Sequence, residues 1–118
     1  SKNIDWVDDK LPLLNKLTPP KEGYALILGA AVWMHLDSNE RYTAWRRLAH
    51  LCRRDGTAII TLRHGPGDPE RPMHALNSYD EMRLAIVAGF KEARITSNTK
   101  QDLLGRTTVT WQTIALKR

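Results

Sequence analysis

The sequence is poor in several things, and each scarcity excludes something. Its single cysteine, Cys52, rules out an internal disulfide and any zinc site built from several thiolates, and suits a reducing compartment. No apolar run approaches the ~20 residues of a bilayer-spanning helix, and no basic, apolar leader opens the sequence. A soluble protein of the cytoplasm, without membrane partners, is therefore expected. The seven glycines are scattered, and no Gly-x-Gly-x-Gly occurs. Repeats, low-complexity tracts and linker-like stretches are missing as well. Cys52 and the four histidines, His35, His50, His64 and His74, fall at no helical or hairpin ligand spacing, so no metal site is expected.

What is present is ordinary for a folded domain. The chain has 118 residues, 42% hydrophobic and 26% charged, which makes residues 1–118 one domain able to bury a core without covalent staples. Eighteen Lys and Arg against 13 Asp and Glu leave a net charge of +5. Such a balance invites a nucleic-acid reading, but five of the cations, Arg41, Arg46, Arg47, Arg53 and Arg54, crowd one segment and the rest of the chain is nearly balanced. A solvated arginine face accounts for them. A basic α/β module that binds RNA or DNA through Arg41 to Arg54 is kept as an alternative.

Two short, continuous apolar runs, Tyr24 to Leu28 and Thr57 to Leu62, have the character of strands buried in a parallel sheet. Between them Asp37 and Glu40 form a capping box that opens a helix, Gly56 follows its end, and Tyr42, Trp45, Leu48, Ala49 and Cys52 recur at helical spacing. Strand, helix and strand make a right-handed parallel crossover. The pattern then repeats. Ser78 and Glu81 suggest a second capping box, Tyr79, Met82, Ala85 and Ile86 a buried stripe, and Gly89 the helix end before Phe90. A strand near Glu92 to Ser97 follows. Beyond a polar connection with Asp102 and Gly105, Thr108 to Leu116 alternates as a strand, Val109 and Trp111 sharing a face. The short connection makes the last two strands antiparallel neighbours. The opening contains strand-like Asn3 to Val7 and a short helix through Leu11, Leu13, Leu14 and Leu17, stopped by Pro19-Pro20. The longest irregular stretch, Arg63 to Asn77, follows a buried strand at the end of the sheet where open α/β folds bind ligands.

These pieces carry a resemblance. From Asp5 onward the chain resembles the second half of a class I S-adenosylmethionine-dependent methyltransferase. Asp5-Trp6 is similar to the acidic loop after that family's third strand, and Leu26 to Leu36 (Leu-Ile-Leu-Gly-Ala-Ala-Val-Trp-Met-His-Leu) to its fourth strand and following loop. Leu48 to Leu62 is similar to the next helix, turn and fifth strand, and Ala88-Gly89-Phe90 to the turn before the sixth. The family's Pro-Gly-Gly before the fifth strand is here Arg54-Asp55-Gly56, where Asp55 tolerates the left-handed conformation.

The resemblance implies an α/β, Rossmann-like, mostly parallel sheet with helices on both faces and a C-terminal antiparallel hairpin, that is, a partial methyltransferase fold. It implies S-adenosylmethionine as cofactor in the complete enzyme and an unknown methyl acceptor. Asp5 and Trp6 would meet the adenine, and Gly29, Ala30, Val32 and His35 would lie along the cofactor. His35 or His64 would serve as a general base if one is needed, and Arg63, His64 and His74 would shape the acceptor side. The family's glycine-rich loop is missing from these residues, so the chain reads as a fragment, inactive alone. The implied strand order leaves Tyr24 to Leu28 as an open edge, which residues 1–20, displaced or mobile, fold over or at which two chains pair about a two-fold axis. A further rival is Arg63-His64-Gly65, which resembles the phosphohistidine motif of the histidine phosphatases.

Overall fold

The structure, a computed structural model, describes residues 4–30, 32–65, 74–99 and 110–118. Seven elements follow one another. β1 is Tyr24–Ala30, and a 3-10 turn follows at Trp33–His35. α1 is Ser38–Leu51, β2 Cys52–His64 and α2 Ser78–Ala88. β3, Glu92–Thr99, and β4, Thr110–Lys117, end the chain. The sheet order is β1-β2-β4-β3, with β1 parallel to β2 and β4 antiparallel to both its neighbours. This is the order the resemblance implies, with the last strand slotted between the two before it.

The helices, however, do not lie on both faces. On β2, Ala58, Ile60 and Leu62 are buried in one cluster with Trp45 and Leu48 of α1 and Ala85 and Ala88 of α2, so both helices share a face. The reason is topological. Crossovers between parallel strands are right-handed almost without exception, and both here step across the sheet in the same direction, from β1 to β2 and from β2 to β3. Helices change face only where that direction reverses. Among the described residues no helix covers the other face, where Leu26 and Leu28 are 54% and 70% exposed on the edge strand.

Local chemistry explains most boundaries. The Asp37 carboxylate accepts from the Glu40 amide at 2.8 Å and Glu40 accepts from the Asp37 amide at 3.0 Å, closing the capping box of α1. Gly89, at φ +136°, takes the backbone turn that ends α2, its amide shared between Ala85 and Ile86 carbonyls. Asp55 sits at φ +63°, as its place in the turn requires.

Three boundaries differ from expectation. α1 ends at Leu51, before Gly56: Cys52 is already extended and pairs with Tyr24, while the next paired position is Thr57 with Leu26. Gly56 is needed for close approach inside this bulge, since a Cβ there would lie 2.8 Å from Cys52 Sγ and 2.9 Å from the Tyr24 carbonyl oxygen. Gly56→Ala is expected to destabilise the chain by about 1–3 kcal/mol, read as a lower urea midpoint at unchanged slope.

α2 is capped one residue early. The Asn77 side chain accepts from the amides of Tyr79 and Asp80, so Ser78 and Glu81 form no capping box and turn inward, both buried. The buried stripe is therefore Ser78, Glu81, Ala85 and Ala88, leaving Tyr79 67% and Ile86 43% exposed. Polar residues held the inward phase that apolar counting assigned elsewhere.

The opening segment forms turns, not a strand or a helix. Leu14 at φ +45° breaks helical geometry, and the Asp9 carboxylate takes the amides of Lys10 and Lys16, which a helix would have used. The segment nevertheless packs. Leu11, Leu14 and Leu17 lie against the core, and Arg47 donates to the carbonyls of Leu13 and Leu14. It lies on the helix-side face of β1, beside Ile27, while Leu26 and Leu28 on the opposite face stay exposed. The expected connection through Asp102 and Gly105, and Val109, lie outside the described residues, as do residues 66–73 of the proline-rich loop.

Candidate functional site

The carboxyl end of β1 opens into a cleft of about 590 Å³. Ile27, Gly29 and Ile60 form its floor, Leu11, Leu14 and Leu17 one wall, and Trp33 and Leu36 its far end. Gly29 keeps the floor low, because a Cβ there would meet Ile60 Cδ1 at 2.9 Å.

The loop after β1 is moored from beneath. Glu81, 2% exposed, accepts from Trp33 Nε1 at 2.9 Å and Trp45 Nε1 at 3.1 Å on one oxygen, and from Arg41 Nε at 3.1 Å on the other. Arg41 also donates to the Leu36 carbonyl at 2.6 Å. Trp45 is fully buried, its ring 4.3 Å from that of Trp33 and edge-on to Phe90 at 6.3 Å. One carboxylate thus joins the turn, α1 and α2, and holds Trp33 in place at the end of the cleft.

The structure gathers some of the expected residues and separates others. Gly29, Ala30, Val32 and His35 all line the cleft. Asp5 and Trp6 do not; both are exposed, Trp6 to 85%. The acid beside the cleft is Asp9, which sequence reasoning missed. Its slight burial would raise the carboxyl, but the amides of Lys10 and Lys16 and the Lys16 charge outweigh that and hold it below the usual carboxylate range. The Leu11, Leu14, Leu17 spacing was the available signal for this wall, read only as a short helix.

The loops after β1 and β2 meet at this end of the sheet, where the His74 amide donates to the Met34 carbonyl at 2.8 Å. His64, last residue of β2, places Nε2 3.2 Å from the Ser78 hydroxyl, which in turn donates to Gln112 Oε1 on β4. Arg63 is half-buried on the opposite parity of β2. Burial pushes the Cys52 thiol up from its ordinary value, against the pull of Arg118 and Arg53, so it is no thiolate nucleophile at neutral pH.

The arginine segment is not uniformly solvated. Arg41 and Arg47 are spent on internal hydrogen bonds, whereas Arg46, Arg53 and Arg54 are exposed. Among the described residues no three His, Cys, Asp or Glu side chains cluster as a metal site, and no helix is long and apolar enough to cross a membrane.

No family model matches the sequence, and no curated protein matches it either. Solved structures do match. Human N-acetylserotonin methyltransferase, solved with S-adenosylmethionine, superposes with a TM-score of 0.60 at 14% identity over 86% of this chain and 31% of its own. The fold is that of the S-adenosylmethionine-dependent methyltransferases. Two further methyltransferases agree. Phosphoethanolamine N-methyltransferase 2 of Haemonchus contortus, with S-adenosylmethionine, gives 0.63 at 10% identity over 86% of this chain and 34% of its own. The 1,6-didemethyltoxoflavin N1-methyltransferase of Burkholderia thailandensis, with bound 1,6-didemethyltoxoflavin and S-adenosylhomocysteine, gives 0.61 at 11% identity over 86% and 46%. The match therefore covers 31–46% of the length of these methyltransferases. Their names specify unrelated acceptors, so the methyltransferase fold alone does not give one here.

Proposed function

We propose that the chain is the C-terminal part of an S-adenosylmethionine-dependent methyltransferase, and that the cleft at the end of β1 receives the nucleoside end of the cofactor. The observation that carries this reading is the convergence of Gly29, Ala30, Val32 and His35 on one apolar cleft, at the carboxyl end of a strand whose sheet has the order β1-β2-β4-β3. The residues fit part of the group. A low glycine floor and apolar walls suit a planar base, with Asp9 at hand as a hydrogen-bond acceptor. No glycine-rich turn among the 118 residues cradles the amino-acid end, so these residues alone hold the cofactor weakly and transfer no methyl group.

The bound cofactor would supply an electrophilic methyl group on a sulfonium. The chain's own contribution is positioning and exclusion of water, which suffice for much of an in-line displacement. The Glu81 mooring keeps Trp33 and Leu36 in place against the ligand. His35 lines the same cleft.

Titration of S-adenosylhomocysteine into the chain, followed by amide NMR, tests the reading. Shifts are expected at Gly29, Ala30, Val32 and His35 with a dissociation constant of about 1 mM, roughly −4 kcal/mol. Gly29→Val should remove them by filling the floor. Saturable shifts confined to other residues, or none, would sink the assignment.

A further inference from the structure

His64 is a titratable side chain whose contact leads on to a second partner, through Ser78 to Gln112. Ser78, 5% exposed at the first turn of α2, has one hydroxyl proton and gives it to Gln112 Oε1, an atom that only accepts. Toward His64 the hydroxyl is then an acceptor, and this network assigns the hydrogen to the ring nitrogen facing it at 3.2 Å, Nε2. A neutral imidazole protonated on Nε2 keeps its lone pair on Nδ1.

The supports are stiff. Gln112 lies on β4, an inner strand whose neighbours β2 and β3 hold it on both sides, and is paired with Leu62, two residues before His64. His64 itself extends three residues beyond Thr61, the partner of the last residue of β1, so it stands at the ligand-binding end of the sheet. It shares the helix-facing parity of Ile60, which floors the cleft.

We propose that His64 is the proton acceptor for the hydroxyl or amine that receives the methyl group, with Ser78 and Gln112 as positioning residues that fix its tautomer. The proposal rests on the methyltransferase reading above. As the acceptor's lone pair forms the new bond to the methyl carbon, the electron pair of the broken carbon–sulfur bond stays on sulfur. The acceptor's proton moves to His64 Nδ1, and the positive charge of the sulfonium ends on the imidazolium. The same tautomer disfavours Nε2 as a phosphoryl nucleophile in Arg63-His64-Gly65.

Long-range proton–nitrogen NMR of the 118-residue chain, in mildly alkaline solution where histidine is neutral, reads the tautomer. His64 is expected almost wholly in the Nε2–H form, and Ser78→Ala and Gln112→Leu should each return it toward a mixture. A dominant Nδ1–H form, or a tautomer that neither substitution moves, overturns the proposal. Access to Nδ1 is read by carbethoxylation with diethyl pyrocarbonate, mapped by mass spectrometry, with exposed His50 as internal control. Modification of His64 alongside His50 is expected; modification of His50 alone overturns the role. If both readouts hold while S-adenosylhomocysteine produces no shifts at the cleft, the failure belongs to the methyltransferase reading and the relay stands without it.

Discussion

Glu81→Ala is expected to lower the unfolding free energy by about 3–5 kcal/mol, the cost of leaving one partner of a buried ion pair uncompensated. The magnitude follows from what is stranded. The Arg41 and Glu81 side chains are 11% and 3% exposed, and removing the carboxylate also orphans two buried indole N–H groups. Against a total stability of roughly 5–15 kcal/mol, the melting temperature should fall by on the order of 10 °C. Glu81→Gln keeps one oxygen for the indoles but turns an amide toward a guanidinium, and should lose a smaller share. Urea unfolding of the three chains decides it. A change below ~1 kcal/mol for Glu81→Ala would mean that water reaches the site and that the loop after β1 is not held as described.

Trp45→Ala is expected to cost about 3–5 kcal/mol by a different route, the cavity left when a fully buried aromatic ring is deleted. Trp45 touches the ring systems of Trp33 and Phe90 and donates to Glu81, so its loss loosens the turn behind the cleft as well as the core. Trp45→Phe should recover most of the packing and none of the N–H donation. The two sites share a hydrogen bond, so the double variant Trp45→Ala with Glu81→Ala should fall short of the sum of the single effects. Additivity within ~0.3 kcal/mol would show that the two do not communicate.

The candidate site was legible where its residues are consecutive. Gly29, Ala30, Val32 and His35 follow a recognisable apolar strand, and any segment leaving the carboxyl end of such a strand lines whatever cleft opens there. Asp9 and the Leu11, Leu14, Leu17 wall were not legible as site residues, because nothing local says which part of the fold a turn-rich segment leans on. Asp5 and Trp6 were assigned by resemblance; both are exposed, and neither is among the residues that line the cleft.

Local sequence by itself determined the alternation of strands and helices, the capping box at Asp37 and Glu40, the stop at Gly89 and the left-handed Asp55, since each depends on backbone chemistry within a few residues. Only the tertiary structure decided that Glu81 and Ser78 point inward, that Arg41 is internal, and that both helices share one face. Those facts turn on polar partners 36 to 48 positions apart around Glu81 and 34 apart between Ser78 and Gln112, and on the direction of successive crossovers. Hydrophobic periodicity registers where apolar surface goes, and is blind to a buried charge whose partners arrive from elsewhere in the chain.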